Sequence, residues 1–178
     1  AQAQVSLALE YLAREETDNY IYWIQKAIEN GSAEAEFQYG RYLFQQNQSK
    51  DTGIQLLIRS AEKNNLDSIC YVARNVADLS LENQKKISQI VGKMELLYEL
   101  LSVQQFINLS YYFEYRNDLD LAIKLLDSAY KKEPTPSWTR YIEVLKKRST
   151  PMDHITIGKV YRKIAENGNL SAIKTLAK

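Results

Sequence analysis

The chain has 178 residues, of which 45% are apolar and 25% charged, which is typical of one globular domain or one compact run of repeats. A single cysteine and a single histidine exclude an internal disulfide framework, a Cys-based zinc site and a His-rich metal site. The 23 basic and 22 acidic side chains give a net charge of +1, so no global field favours nucleic acid.

Helical periodicity runs along the chain, and no segment shows the alternation of a half-buried strand. The sequence therefore predicts an all-α fold of about eleven helices, in chain order 3–14, 18–30, 32–47, 50–64, 66–78, 82–101, 103–116, 118–132, 136–148, 152–167 and 169–178. Gly92 is a candidate break in the long sixth segment. Three prolines are expected in the connections between helices: Pro134, Pro136 and Pro151.

The chain repeats itself. Residues 26–35 recur as 163–172, shifted by 137 positions, and a third copy at 60–68 is shifted by 33. Four periods of about 34 residues cover the larger shift, so the copies are in phase. Each copy predicts a tight turn with a left-handed residue, at Gly31, Asn64 and Gly168. The residues that follow them are expected to be helix N-caps: Ser32, Asn65 and Asn169.

A small residue after a large apolar one recurs at intervals of 32, 33, 37 and 67 residues, which leaves one weak repeat around Trp138 and Tyr141 without it. Such a position predicts a close approach of two helix backbones, where a larger side chain would push them apart. The positions are Ala8, Gly40, Ala73, Ser110 and Ala177.

One segment carries a family resemblance, consisting of 23–31 followed by Ala33, Ala35, Tyr39, Gly40 and Leu43. It resembles a Sel1-like repeat, a variant of the tetratricopeptide helix pair. The resemblance is specific over 5–77 and 157–177 and weaker over 103–148, where 120–126 is more similar to an ordinary tetratricopeptide helix. The chain lacks the long glycine-rich loop usual between paired helices, and Ile28 stands where a second alanine is common.

The resemblance implies a right-handed α-solenoid of about five helix pairs that forms one domain over 1–178. The repeats are clear over 1–78 and 152–178 and degenerate over 79–151. Apolar residues near both ends of the chain favour a fragment of a longer repeat protein. The arrangement is also similar to that of scaffold lipoproteins of bacterial alginate export. That likeness implies the periplasm or the periplasmic face of the outer membrane, with the cytoplasm as the alternative.

In such repeats the first helix of each pair lines a concave face that binds other proteins, which implies a scaffold without catalysis. The 13 tyrosines, against 4 phenylalanines, favour such a surface, because tyrosine is frequent at interface hot spots. For Tyr39 and Tyr112 the alternative is packing between helices. The candidate protein-binding residues are Gln38, Arg41, Tyr42, Gln45, Tyr71, Arg74, Asn75, Asn108, Tyr111, Tyr112 and Tyr115.

Charge is unevenly distributed along the chain. Residues 1–120 carry 11 basic and 17 acidic groups, whereas residues 121–178 carry 12 basic and 5 acidic groups. This basic last third allows contact with an anionic polysaccharide or a membrane surface. The candidate cations, called the basic patch below, are Lys146, Lys147, Arg148, Lys159, Arg162 and Lys163.

An enzymatic alternative is a helical domain that acts on polysaccharide, which would need two carboxylates facing a cleft. Charged residues on the outer face of the helices are the expected interpretation of the acidic residues that could serve, which are Glu10, Glu15, Glu16, Glu95 and Glu99. The only neighbouring acid and histidine are Asp153 and His154, for which the first helical turn and the surface are the expected places. Cys70 is expected to be buried and unreactive. The sequence predicts no catalytic, cofactor-binding or metal-binding residue.

Overall fold

A computed structural model describes residues 1–46, 49–169, 172 and 174, with the backbone alone at 95–97. The described residues form ten α-helices and two 3₁₀ helices and contain no β-strand, which confirms the all-α class. The 3₁₀ helices are Val76–Asp78 and Met94–Leu100. The α-helices are α1 Gln2–Ala13, α2 Thr17–Glu29, α3 Ala33–Phe44, α4 Lys50–Glu62, α5 Leu66–Arg74, α6 Leu81–Gly92, α7 Val103–Tyr115, α8 Leu119–Lys132, α9 Pro134–Arg148 and α10 Pro151–Glu166.

The helix boundaries differ from the prediction where local chemistry intervenes. The predicted helix over 66–78 ends at Arg74, since the Asn75 side chain donates to the Tyr71 carbonyl oxygen at 2.7 Å and a 3₁₀ turn follows. Gly92 ends α6, as anticipated for the long segment. The predicted eleventh helix falls mostly outside the described residues.

The placement of the prolines in connections was wrong. Pro134 and Pro151 are the first residues of α9 and α10, and Pro136 lies within the first turn of α9. The first backbone N–H groups of a helix have no partner inside it, so a proline there sacrifices no hydrogen bond and has a suitable φ.

The predicted turns are confirmed. Gly31, Asn64 and Gly168 have φ of 79°, 62° and 82°, in the left-handed region. The side chains of the next residues accept hydrogen bonds from backbone N–H groups three residues on: Ser32 from Ala35, Asn65 from Ser68 and Asn169 from Ala172. Asn117 and Asp118 form the same turn between α7 and α8.

The small residues lie where helices touch. Ala8, Ala73 and Ser110 have no exposed surface, and Gly40 is buried. A Cβ on Gly40 would lie 3.0 Å from the Gly53 carbonyl oxygen, and a Cβ on Gly53 would lie 2.6 Å from the Phe44 backbone nitrogen. The backbones of α3 and α4 therefore approach closely at two glycines. Ala177 lies outside the described residues.

The chain divides into two compact units, unit 1 (Ala1–Leu96) and unit 2 (Leu97–Lys178). In each unit, helices that follow one another in the chain pack together, for example α1 with α2, α3 with α4, and α7 with α8. One apolar cluster of unit 1 joins α1, α2 and α3 around Ile24, and one of unit 2 joins α7 to α10 around Leu126 and Leu145. The single repeat domain over 1–178 stays a prediction.

Two buried carboxylates tie helices together through ion pairs. Glu36 of α3 is 1% exposed, and its Oε1 accepts from Arg59 at 2.5 Å and from Lys63 at 2.9 Å, which joins α3 to the end of α4. In unit 2, Asp153 at the start of α10 is likewise 1% exposed and binds Arg148 at the end of α9. Both acids thus hold successive helices at their ends.

Candidate protein-interaction surface

In unit 1 a row of polar side chains runs along α3. Gln38 Nε2 donates to Glu34 Oε1 at 2.6 Å, and Arg41 donates to Gln38 Oε1 at 2.9 Å. Asn65 at the start of α5 donates to the other oxygen of Glu34 at 3.1 Å. Arg41 is exposed and forms no ion pair with another described residue, so its positive charge is available to a partner.

Aromatic rings flank this row. The Arg41 guanidinium lies 5.5 Å from the centroid of the Phe37 ring, and Tyr71 of α5 meets the same ring edge-on at 6.1 Å. Tyr42 stacks on Tyr39 with centroids 6.2 Å apart. These contacts bring α3 and α5 together at one surface, which combines the charge of Arg41 with partly buried rings.

The pKa of the Tyr71 hydroxyl depends on burial and on two nearby arginines. Burial raises its pKa, and the nearby Arg41 and Arg74 act in the opposite direction. Two of the predicted surface residues, Arg41 and Arg74, therefore lie close enough to the Tyr71 hydroxyl to affect its pKa.

Asn75 is fixed by its bond to the Tyr71 carbonyl oxygen, whereas Gln45 is exposed just beyond α3. We call Gln38, Arg41, Tyr42, Tyr71 and Arg74 the α3–α5 surface.

A buried tyrosine lies behind this surface. Tyr20 of α2 has no exposed surface and meets Tyr42 edge-on at 5.2 Å and Tyr39 at 6.2 Å. Burial is the main cause that raises the pKa of the Tyr20 hydroxyl, with Tyr39 and Tyr42 adding to it and Arg41 opposing it. Tyr42 is thus held by two rings and keeps only part of its surface for a partner.

The α7 candidates lie in unit 2 and have separate environments. Asn108 accepts from Gln104 at 3.1 Å, Tyr115 is 50% exposed, and the ring of Tyr111 has the Arg140 guanidinium 3.7 Å from its centroid. Tyr112 is only 4% exposed, so its assignment to the surface was wrong, and its burial favours the alternative of packing between helices. Successive residues of a helix point about 100° apart, which separates Tyr112 from Tyr111.

A cluster on α7 and α9 was missed by sequence reasoning. Glu114 accepts from Arg140 and, at 2.8 Å, from Lys147. Burial acts to raise the pKa of Glu114, but the hydrogen bonds from Lys147 and Arg140 outweigh it, so this pKa lies below its ordinary value. The three residues are 26 and 33 positions apart, and no local pattern signals such a contact.

The basic patch is partly neutralised inside the chain. Lys147 binds Glu114, Arg148 binds Asp120 and Asp153, and Lys163 lies 5.5 Å from the Tyr130 ring centroid. Lys163 itself is exposed and forms no ion pair with another described residue, and the same holds for the remaining three: Lys146, Lys159 and Arg162.

The two candidate reactive groups take the places expected of them. Asp153 lies in the first turn of α10, where it accepts from the Thr150 backbone at 2.8 Å and from Arg148 at 2.5 Å, and His154 is exposed. The Arg148 bond is the main cause that holds the pKa of Asp153 below its usual range. Cys70 is fully buried, and burial raises the pKa of its thiol to about 12.

Two of the carboxylates considered for the enzymatic alternative, Glu15 and Glu16, are solvated. Glu15 and Glu16 line an open hollow of 390 Å³ at the start of α2, together with Thr17, Asp18 and Asn19. All five residues are exposed. Glu16 also accepts from Asn19 at 2.7 Å.

Comparison with known proteins finds no family model that matches the chain, and no curated protein matches it. Within 1–46, 49–169, 172 and 174, no three histidine, cysteine or acidic side chains are grouped so that they could hold a metal ion. None of the helices in the described part of the chain has the length and apolar content needed to cross a membrane.

Proposed function

We propose that this chain is a Sel1/tetratricopeptide-like α-solenoid of about five helix pairs that acts as a non-catalytic scaffold for other proteins. The observation that carries the proposal is the α3–α5 surface, where the exposed charge of Arg41 lies over the Phe37 ring, which the partly buried ring of Tyr71 meets edge-on. Arginine and tyrosine are among the side chains that are enriched at interface hot spots. The recurring left-handed turns and small buried residues support the repeat architecture.

Affinity capture tests the surface. The tagged chain is incubated with extract of its native host, and captured proteins are identified by mass spectrometry. We expect a specific partner to be lost when Arg41, Tyr42, Tyr71 and Arg74 are replaced by alanine, while the circular dichroism keeps its helical signal. Retention of the partner by this variant would refute the α3–α5 surface.

A matched control uses exposed residues elsewhere in unit 1. Tyr22 of α2 is 55% exposed and Lys85 of α6 is exposed, so the double variant Tyr22→Ala/Lys85→Ala removes an aromatic ring and a cation. It should capture the partner as well as the wild type does.

The likeness to scaffold lipoproteins of alginate export extends the proposal to the bacterial periplasm. Cell fractionation of the native host tests this location.

A second candidate function is direct binding of an anionic polysaccharide or membrane surface. The observation in its favour is the set of four exposed patch cations without an ion-pair partner among the described residues, Lys146, Lys159, Arg162 and Lys163. It predicts binding that weakens steeply with salt.

The enzymatic alternative predicts hydrolysis of a polysaccharide. This activity should be lost when Glu15 and Glu16 are replaced by glutamine.

A further inference from the structure

Helix α10 carries an exposed line of side chains, of which the first four are apolar or basic and the fifth, Glu166, is acidic. Met152 is 66% exposed and Ile155 is 54% exposed, and Lys159 and Arg162 are also exposed. Their spacings of three, four and three residues place them on one line along the helix. The buried Val160 and Ile164 point away from this line, into the core of unit 2. We call these four exposed residues the α10 stripe.

The α10 stripe combines apolar surface with positive charge. Met152 and Ile155 are the only large exposed apolar side chains of the described residues that stand on neighbouring turns of one helix. Lys159 and Arg162 form no ion pair with another described residue, in contrast to Lys147 and Arg148 of α9. A complementary partner would therefore present apolar groups followed by negative charges.

The width of the stripe favours a helix as its partner. The spacing is that of the a and d positions in successive heptads. These positions form the narrow seam between paired helices. Helices that lie on a bilayer present a broader apolar face. Gly158 flanks the stripe, and a Cβ added to it would have no atom within 4 Å, so neighbouring side chains leave room beside the seam.

A second copy of the chain does not complement the stripe. Parallel pairing of two α10 helices would set Lys159 and Arg162 against their own copies, which repel each other. Antiparallel pairing would set each cation against Met152 or Ile155, which leaves the charges unpaired. The complementary occupant is another sequence that carries carboxylates.

We propose that the α10 stripe binds an acidic amphipathic helix of a partner protein, with apolar side chains against Met152 and Ile155 and carboxylates against Lys159 and Arg162. The stripe shares no residue with the α3–α5 surface, so the inference does not rest on the proposed function. A protein that uses both surfaces could hold two partners at once.

A designed helical peptide tests the proposal. Its seam carries leucine opposite Met152 and Ile155 and glutamate opposite Lys159 and Arg162, and a reference peptide carries lysine in place of glutamate. Because the stripe is short, binding is followed by NMR titration of the isotope-labelled chain. We expect the acidic peptide to shift the α10 amide resonances and the lysine peptide to leave them unchanged.

Charge reversal provides the decisive comparison. The Lys159→Glu/Arg162→Glu variant should bind the acidic peptide about tenfold more weakly and should gain binding of the lysine peptide. The control Lys124→Glu/Lys146→Glu changes the net charge equally at exposed positions of α8 and α9, and should bind as the wild type does. Met152→Gln/Ile155→Gln should weaken binding of the acidic peptide without loss of helical signal.

Three outcomes would overturn the proposal. Equal binding of the two peptides would show that charge does not select the partner. An equal loss of acidic-peptide binding in the Lys124/Lys146 control would show that the effect depends on net charge alone. Binding of the wild type, but not of the Lys159/Arg162 variant, to phosphatidylglycerol-containing phosphatidylcholine vesicles without binding of the acidic peptide would assign the stripe to a lipid surface.

Discussion

A buried carboxylate at the start of α10 shows how single residues fix the ends of helices. Asp153 reaches back to the backbone N–H of Thr150, whose hydroxyl oxygen accepts from the Asp153 backbone at 3.3 Å. The same carboxylate binds Arg148. One side chain therefore caps a helix and attaches it to the preceding helix, so its loss affects both.

Replacing Asp153 by asparagine should lower the free energy of unfolding by about 2–4 kcal/mol at neutral pH, because Arg148 loses its buried counter-charge. The folded pKa of Asp153 is lowered, so its stabilisation is present above the unfolded pKa of about 3.9 and is lost as the pH falls below that value. Urea denaturation of both proteins should therefore show a difference that shrinks in acid. Asp120→Asn, at a partner of Arg148 that is 83% exposed, should change stability little.

At this scale the sequence predicts turns and caps but not ion pairs. Ser32 and Asn65 were identifiable because the left-handed turn and the N-cap depend on residues within three positions. Glu36 and Arg59 are 23 positions apart, and many acid–base combinations satisfy the same composition. Their pairing follows from helix packing, which fixes which side chains meet.

At the scale of elements, the contact of α3 with α4 depends on two glycines. Gly53→Ala would place a methyl group 2.6 Å from the Phe44 backbone nitrogen, so the helices must separate. We expect a loss of about 1–3 kcal/mol in the free energy of unfolding, although alanine is the better helix former. Gly158→Ala is the control in α10, where open space should allow a gain of about 0.5–1 kcal/mol. Equal melting temperatures of the two variants in thermal unfolding would contradict the close contact of α3 with α4.

The sequence indicated one of the two glycines at the contact of α3 with α4. Gly40 stands in the recurring small position of the repeat and was therefore predicted, whereas Gly53 has no counterpart in that pattern. The end of α5 was also missed, because the competing bond from Asn75 to the Tyr71 carbonyl oxygen outweighs a helical periodicity that continues to 78. Periodicity locates helices well, but side-chain bonds to the backbone decide where they end.

At the scale of the whole molecule, the near-zero net charge limits binding to polyanions. The positive excess of residues 121–178 is reduced locally, since Lys147 and Arg148 bind acidic side chains of unit 2. We expect the chain to leave an immobilised alginate column at or below about 0.15 M salt, where charges farther apart than about 8 Å are screened. Retention well above that concentration, lost in a Lys146→Ala/Lys159→Ala/Arg162→Ala variant, would favour the polysaccharide candidate.

The all-α class was predictable because helical periodicity is a local signal, repeated along the chain. The division into Ala1–Leu96 and Leu97–Lys178 was not predicted. It depends on which helices share a core, and the apolar clusters around Ile24 and Leu126 are assembled from residues far apart in sequence. Repeat periodicity identifies similar helices without stating where one compact unit ends.

The bond between Arg59 and Glu36 affects how any partner of this molecule can be mapped by mutagenesis. Arg59 has a side chain that is 52% exposed, yet it neutralises a carboxylate that is 1% exposed. Truncating it would leave that buried charge with Lys63 alone and weaken folding. A surface-wide alanine screen would then report Arg59 as a recognition residue, a false positive that stability measurements on each mutant would expose.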